Sequence, residues 1–94
     1  MDPVIEHDAT GGRFTVAVEG RQAVLVYHRV DERTVDFAST YVPDELRGHQ
    51  LGSRLVRHAL AWARTEGLRV VPSCWFVATV AQRRVEDAAL LVRS

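Results

Sequence analysis

The stretch Val35–Gly67, VDFASTYVPDELRGHQLGSRLVRHALAWARTEG, decides the fold of this chain. It opens with Val35–Val42, an apolar and β-branched run that predicts a strand. A short polar turn follows at Pro43–Leu46. The next segment is amphipathic and predicts a helix from Gly48 to Glu66, with Gly67 as its left-handed C-terminal cap. The order is therefore strand, glycine-containing turn and helix.

The junction Arg47–Gly52 is the chemically distinctive part of this stretch. The first N–H groups of a helix have no intrahelical acceptor, and the positive end of the helix dipole lies beside them. A phosphate group suits such a position without any special side chain. The sequence therefore predicts an anion-binding turn, although the same turn can simply begin a helix.

The predicted helix carries one apolar stripe at the spacing of three and four residues that a buried face requires. The stripe consists of Leu51, Leu55, Val56, Ala59, Leu60, Trp62 and Ala63. The residues that fall largely outside it are Arg54, Arg57, His58 and Arg64.

After the helix, Leu68–Phe76 is apolar and predicts an internal strand. Pro72 cannot donate a ladder hydrogen bond, so we expect a bulge there or a strand that leaves its neighbour. The strands Val35–Val42 and Leu68–Phe76 would be parallel, joined by a right-handed crossover. Ligands of such sheets bind at the carboxyl ends of parallel strands. The anion-binding turn and Cys74 should therefore meet at one edge of the sheet.

The first half of the chain predicts an antiparallel meander, because apolar residues alternate with polar ones between short turns. Its predicted strands are Arg13–Glu19, Gln22–Val30 and Thr34–Val42, after a shorter strand that begins at Val4 and Ile5. In the strand Thr34–Val42, alternation places Val35, Phe37, Ser39 and Tyr41 on one side. The residues Val77–Val92 predict a second helix, broken near Glu86–Asp87. The fold class is α+β: one mixed sheet with helices packed on it.

Composition limits the classes of protein. A chain of 94 residues with 47% hydrophobic and 26% charged residues predicts one globular domain, 1–94. The formal net charge is zero, although all twelve basic residues are arginine, so non-specific nucleic-acid binding is not expected. One cysteine excludes an internal disulfide. No secretory signal, membrane-length apolar run or metal-ligand spacing is present, so we expect a cytoplasmic protein without a metal.

The hexapeptide Arg47–Gly52 resembles the pyrophosphate-binding signature of the GNAT superfamily, Q/R-x-x-G-x-G/A. Arg47 matches the first position and Gly52 the last, whereas Gln50 occupies the place of the middle glycine. Most of the region from Asp36 to Val92 is also similar to a branch of very short acetyltransferase-like proteins, the YjdJ or NATD type. The motifs that carry this likeness include Thr40–Pro43, Glu45–Gly48, Leu51–Val56, Ala59–Arg64 and Val71–Val77.

The resemblance implies a domain that binds acetyl-CoA as cosubstrate. Backbone amides of the turn would hold the pyrophosphate, and the main chain of Tyr41 and Val42 would pair with the pantetheine arm between splayed strands. The residues implied in cofactor binding are Tyr41, Val42, Arg47, Gly48, His49, Gln50, Leu51, Gly52, Ser53, Arg54 and Arg83. The arginines Arg57 and Arg84 are further phosphate candidates, although Arg57 and Arg64 fit a solvated helix face equally well. Gln50 is expected to adopt ordinary helical dihedral angles.

The activity implied is acetyl transfer to an amine. Cys74 would either carry the acetyl group as a thioester or line the pocket. The candidates for a general base are His28, Asp36, Tyr41, Glu45 and His49, whereas His7 and His58 are expected at the surface. The alternatives are an acyl-CoA-binding or regulatory module with little turnover, and a purely structural domain. The acceptor amine is not readable from the sequence.

Overall fold

The computed structural model describes residues 3–48 and 50–92, so the predicted role of His49 lies outside the described residues. Within these ranges the chain forms five strands and three helices. The strands are β1 Ile5–Asp8, β2 Arg13–Val18, β3 Arg21–Asp31, β4 Thr34–Tyr41 and β5 Arg69–Val71. The helices are α1 Leu51–Thr65, α2 Trp75–Ala81 and α3 Val85–Ala88, and a 3₁₀ turn spans Asp44–Leu46.

The strands form one sheet in the order β1-β2-β3-β4-β5. The first four are antiparallel neighbours, and β5 pairs with β4 in parallel after the α1 crossover. The predicted α+β fold, a meander joined to a βαβ unit, is therefore confirmed. The β2–β3 hairpin turns at Glu19 and Gly20, both with positive φ, as a two-residue loop between right-twisted strands requires.

All three helices lie on one side of the sheet. The helix α1 packs on β2, β3 and β5, and both α2 and α3 contact α1. Between this helix and the sheet lie Phe14, Leu25, Phe37, Leu55 and Leu60, each fully buried. The opposite side of the sheet, which we call the outer face, is not covered by any described helix. Its central residues are Val24, Val26, His28, Asp36 and Val71, all exposed or half-buried.

A β-bulge in β4 changes which residues face the core. The register with β3 shifts between the pairs Val26–Ser39 and Tyr27–Phe37, so Ala38 is the extra residue. Val35 and Phe37 are fully buried before the bulge, but Ser39 and Tyr41 after it are exposed. The prediction that all four share one side was wrong after Ala38, because a single inserted residue reverses the alternation of a strand.

The strand after α1 is much shorter than predicted. It ends at Val71, and Trp75–Ala81 is helical, so the assignment of Cys74, Trp75 and Phe76 to a strand was wrong. Pro72 follows directly and cannot continue a ladder. An apolar run of this length fits a buried strand and a buried helix equally well, and the residues Val77, Val80 and Ala81 show the helical spacing.

The predicted second helix, Val77–Val92, is two short helices followed by an extended segment. The break falls at residues 82–84 rather than near Glu86–Asp87, which lie within α3. Leu91 then bridges Val70 in parallel, with Val70 N–H donating to the Leu90 carbonyl at 2.9 Å. Residues 90–92 therefore cover the edge of β5 that does not pair with β4. Without this segment, the backbone N–H and C=O groups of that edge would be exposed.

The C-terminus of α1 follows the prediction. Gly67 has φ +70°, and the N–H of Leu68 donates to the Ala63 carbonyl at 2.8 Å. This is the Schellman arrangement, in which a left-handed glycine ends the helix. It turns the chain back so that β5 begins two residues later, alongside β4.

Candidate functional site

The strands β4 and β5 form a fork. Their parallel pairing runs from Thr34–Arg69 to Asp36–Val71. One further backbone bond, from Cys74 N–H to the Phe37 carbonyl at 3.1 Å, holds the start of α2 against β4. Beyond this point β4 pairs only with β3 among the described elements, so its other edge from Ala38 to Tyr41 faces a gap.

This gap opens into a cleft of about 390 Å³ between β4, the turn before α1 and the start of α2. Eight of the residues implied by the sequence line it: Val42, Arg47, Gly48, Gln50, Leu51, Gly52, Ser53 and Cys74. The remaining lining residues are Thr40, Leu46, Trp75 and Phe76. The structure thus brings the turn Arg47–Gly52 and Cys74 to one cleft, as the βαβ order predicts. The side chains of Tyr41, Arg54 and Arg83 are not part of the lining.

The donors at the start of α1 are fewer than the sequence implied. The first intrahelical hydrogen bond runs from Arg54 N–H to the Gln50 carbonyl at 3.0 Å. The Arg54 amide is therefore already used. The N–H groups of Leu51, Gly52 and Ser53 come before this bond and lie at the positive end of the helix dipole. They are the amides that an anion in the cleft would meet.

Gln50 does not adopt helical dihedral angles, contrary to the expectation. It is the residue before α1 and has φ 59° and ψ 24°, in the left-handed region. Gly48, two residues earlier, also has positive φ, at +90°. A turn that reverses so sharply requires left-handed residues, which is why glycine is preferred at such positions. Gln50 is therefore a strained residue at the mouth of the cleft.

Gly52 permits a close contact between three elements. A Cβ atom at this position would lie 3.0 Å from Phe76 Cε2 and 3.4 Å from Val42 Cγ2. The absence of a side chain lets the Phe76 ring pack against the first turn of α1. Phe76 and Val42 in turn form apolar walls of the cleft. Phe76 was not predicted to line a site, because its apolar segment was interpreted as a strand.

Cys74 is half-buried and is the residue before α2. Its Sγ atom lies 3.7 Å from Thr40 Oγ1 on β4. The bulge at Ala38 brings Thr40 to this side, so the pair was not readable from the alternation of β4. His28 lies on the outer face of the sheet as the cross-strand partner of Asp36.

The arginines around the cleft have different partners. Arg47 lines the cleft, and its Nε lies 3.2 Å from Asp44 Oδ1 in an exposed pair. Arg83 Nη1 is 3.4 Å from Ser53 Oγ, which places its guanidinium beside the first turn of α1. Arg64 instead donates to the buried Asp87 at 3.1 Å and joins α1 to α3. Arg64 therefore has a structural partner and lies away from the cleft.

The candidates for a general base are separated by the fold. Asp36 and His28 are cross-strand partners on the outer face, next to the fork. Tyr41 has 59% of its surface exposed. Glu45 pairs with Arg21 at 3.4 Å. Among these residues, Asp36 and its partner His28 lie next to the end of the β4–β5 pairing.

His7 belongs to a ring cluster at the other end of the sheet. It stacks on Phe14 with ring centroids 4.0 Å apart, and its Nε2 shares a hydrogen bond with the Tyr27 hydroxyl at 2.7 Å. Burial lowers the pKa of His7 below its usual 6.5, and His58 nearby lowers this pKa further. His7 is an exposed residue as expected, but its ring is packed. This cluster is not part of the cleft.

Within residues 3–48 and 50–92, no three His, Cys, Asp or Glu side chains lie close enough together to hold a metal ion. None of the helices found there is long and apolar enough to cross a membrane.

The fold matches that of a solved structure. The solution structure of a GCN5-like protein from Staphylococcus aureus superimposes with a TM-score of 0.74 over 97% of this chain and 89% of that one, at 22% identity. This likeness shows that the fold is of the GNAT type.

The sequence comparisons identify the family. The model of the GCN5-related N-acetyl-transferase family matches residues 13–90, so the chain belongs to this family. Protein NATD1 of Xenopus tropicalis is 35% identical over 83 residues, covering 82% of this chain and 76% of the relative. Protein NATD1 of Danio rerio is 32% identical over 75 residues, covering 78% and 68%. The resemblance expected from the sequence is thereby confirmed.

Proposed function

We propose that this protein transfers the acetyl group of acetyl-CoA to an amine. The observation that carries the proposal is the continuity of the cleft. At one end lie the amides of Leu51, Gly52 and Ser53, for which no acceptor is found among the described residues. At the other end, beside Cys74, lies the edge of β4 that no described strand pairs with. A molecule with a pyrophosphate at one end and a peptide-like arm at the other fits both.

The residues present suit coenzyme A. The N–H groups of Leu51, Gly52 and Ser53 would bind the pyrophosphate, and Arg47 and Arg83 would add cationic contacts to its phosphates. The main chain of Tyr41 and Val42 would pair with the amides of the pantetheine arm as an added strand pairs with an edge. No carboxylate lines the described part of the cleft, so nothing there repels the phosphates.

The thioester supplies an activated acetyl group, and the chain contributes position and polarity. Holding the thioester at the fork in a fixed position beside the accepting group would convert a bimolecular reaction into an effectively unimolecular one. A backbone N–H of the unpaired β4 edge would stabilise the negative charge that develops on the carbonyl oxygen. In this transfer the acetyl carbonyl carbon would bond to the accepting atom while its bond to the CoA sulfur breaks, and the proton of the accepting group would end on the CoA thiol.

For Cys74 we propose that its thiol accepts the acetyl group first and passes it on. Its position beside the fork, within 3.7 Å of Thr40 Oγ1, supports this step. In the first step the Cys74 sulfur would bond to the acetyl carbon, the bond to the CoA sulfur would break, and the Cys74 proton would end on CoA. In the second step the amine nitrogen would bond to the acetyl carbon, the Cys74 thioester bond would break, and the proton from the amine would end on Cys74. We place this activity in the cytoplasm and assign residues 1–94 to one acetyltransferase domain.

Isothermal titration with acetyl-CoA tests the proposal. We expect saturable binding that Gly52→Trp abolishes, because the indole would fill the approach to the α1 amides. Transfer is then measured with labelled acetyl-CoA and a panel of amines. Absence of binding at millimolar acetyl-CoA would contradict the proposal. Binding without transfer to any amine would instead support an acyl-CoA-binding module.

A further inference from the structure

The sulfur of Cys74 has a polar neighbour on β4. Its Sγ atom lies 3.7 Å from Thr40 Oγ1, so the S–H group donates a weak hydrogen bond to the hydroxyl. Both residues line the cleft, and both are half-buried. The two positions are 34 residues apart in the chain, so the contact exists only in the folded protein.

The backbone fixes both side chains of this pair. Thr40 is the cross-strand partner of Leu25, whose side chain is fully buried between α1 and the sheet, so Thr40 lies on the same side. Cys74 is held against β4 by its N–H, which donates to the Phe37 carbonyl at 3.1 Å. Threonine is β-branched and therefore stiff at its first side-chain torsion. The approach of Oγ1 to Sγ is thus set by the fold and not by two flexible side chains.

The cleft offers this sulfur a hydroxyl rather than a cation. Reactive cysteines usually have a histidine or another cationic group beside the sulfur. No histidine lines the described part of the cleft. Arg47, which does line it, pairs with Asp44 at 3.2 Å, and Arg83 instead contacts Ser53. Among the described contacts of the sulfur, Thr40 is therefore the group that can respond when the thiol loses its proton.

A hydroxyl can serve both charge states of a thiol. It accepts a hydrogen bond from the S–H group, and after rotation of its own hydrogen it donates one to the thiolate. A hydrogen bond to the charged form favours that form. In the carrier reaction the sulfur becomes negative twice, once as it attacks the thioester of acetyl-CoA and once as the amine displaces it. The hydroxyl would stabilise the sulfur in both steps.

We propose that Thr40 is a positioning residue whose hydroxyl holds the Cys74 sulfur towards the thioester and stabilises its negative charge. This inference rests on the proposed transfer through Cys74. The acetyl carbon bonds to Cys74 Sγ, its bond to the CoA sulfur breaks, and the Cys74 proton ends on CoA, so Thr40 keeps its own proton throughout. Two variants separate the hydroxyl from the shape of the side chain. Thr40→Ser keeps the hydroxyl, whereas Thr40→Val keeps the shape and removes the hydroxyl.

Alkylation by iodoacetamide, followed by intact-mass measurement over a pH series, tests the inference without acetyl-CoA. Because the chain has one cysteine, the added mass reports Cys74 alone. In Thr40→Val we expect the pH profile to move to higher pH and the rate at neutral pH to fall about three- to tenfold, because a charge-assisted hydrogen bond is lost. Thr40→Ser should retain the wild-type profile. The matched control is Ser39→Ala, which removes an exposed hydroxyl from the neighbouring position and should behave as wild type.

A second measurement separates positioning from packing. In Thr40→Val the rate at which acetyl-CoA acetylates Cys74 should fall by a similar factor. The Kd for acetyl-CoA in calorimetry and the Tm should stay near the wild-type values, because valine and threonine are both β-branched and favour strands. A purely structural role would instead lower Tm and leave the alkylation profile unchanged.

Three outcomes would overturn the inference: an alkylation profile of Thr40→Val that superimposes on wild type, an equal loss in Thr40→Ser, or no alkylation of wild type at any pH. Failure of acetyl-CoA binding in calorimetry would contradict the proposed function alone, since alkylation still tests the contact between Thr40 and Cys74.

Discussion

The backbone N–H of Cys74 donates to the carbonyl oxygen of Phe37 at 3.1 Å. This bond fixes the start of α2 against β4 immediately after the β4–β5 pairing ends at Asp36–Val71. The side chain of Cys74 is thereby held at the fork, beside Thr40 on the unpaired edge of β4. One backbone bond thus sets the distance between the thiol and the place where a thioester would lie.

Cys74→Ala tests whether this thiol carries the acetyl group. After brief exposure to acetyl-CoA, intact-mass measurement of wild type should show one added acetyl group, and the variant should show none. Hydroxylamine should remove the modification, since a thioester is labile where an amide is not. If Cys74→Ala transfers acetyl groups at the wild-type rate, the thiol only lines the pocket.

Replacing Gln50 with glycine should stabilise the fold. Gln50 occupies the left-handed region, which is unfavourable for a residue with a Cβ atom. After the entropy cost of glycine, we expect a gain of about 0.5–1 kcal/mol in the free energy of unfolding. Urea denaturation measures it. Gln82→Gly is the control, because Gln82 has φ −71° and should gain nothing. A loss of stability in Gln50→Gly would show that the turn is not strained.

Gly52→Ala should weaken cofactor binding through Phe76. The new methyl group would lie 3.0 Å from Phe76 Cε2, so the ring, which lines the cleft, must shift by a few tenths of an ångström. Calorimetry with CoA should show a higher Kd, and stability should fall by about 1 kcal/mol. Adding Phe76→Leu should restore binding, because it removes the ring atoms that clash. Ser53→Ala, which keeps its amide, should bind nearly as wild type. Equal affinity in all four proteins would contradict this account.

Asp87→Ala should destabilise the helical layer without touching the cleft. Asp87 is 4% exposed and accepts a hydrogen bond from Arg64 Nη1 at 3.1 Å. Because Arg64 is half-exposed, we expect a loss of about 1–2 kcal/mol rather than the larger cost of a fully buried pair. Thermal unfolding measures it. The control is Arg57→Ala, at an exposed position of α1, the helix that carries Arg64. This variant should leave Tm unchanged. Similar Tm values for both variants would show that the Arg64–Asp87 contact contributes little.

Stability should fall as the pH drops below about 6.5, the usual pKa of histidine, because of His7. Burial against the ring cluster lowers the pKa of His7 in the folded chain, so below pH 6.5 the unfolded chain binds more protons. The contribution of His7 to stability is therefore complete above its pKa in the unfolded chain. It decreases as the pH falls towards the lower pKa of His7 in the folded chain. Asp8 and Glu66 oppose the shift, so the effect is small. His7→Phe should flatten the dependence of Tm on pH in this range, whereas an unchanged profile would assign it to other groups.

Predictions were reliable where the hydrophobic pattern was long and local. The α1 stripe, the Gly67 cap and the meander strands were correct because their periodicity extends over many residues. The predictions failed at Trp75–Phe76, Ser39 and Gln50. The apolar run that includes Trp75 and Phe76 fitted a strand and a helix equally well. The error at Ser39 came from the bulge in β4, and the error at Gln50 came from a left-handed turn. Both of these features depend on contacts with other segments of the chain.

The sequence by itself determined the order of strand, anion-binding turn, helix and strand, and therefore which edge of the sheet could hold a ligand. It also determined the resemblance to the family to which the chain belongs. Only the tertiary structure decided where β4 and β5 separate and which side of β4 faces the gap. These features follow from the Ala38 bulge and the end of pairing at Val71, which are properties of contacts between strands and not of any one segment.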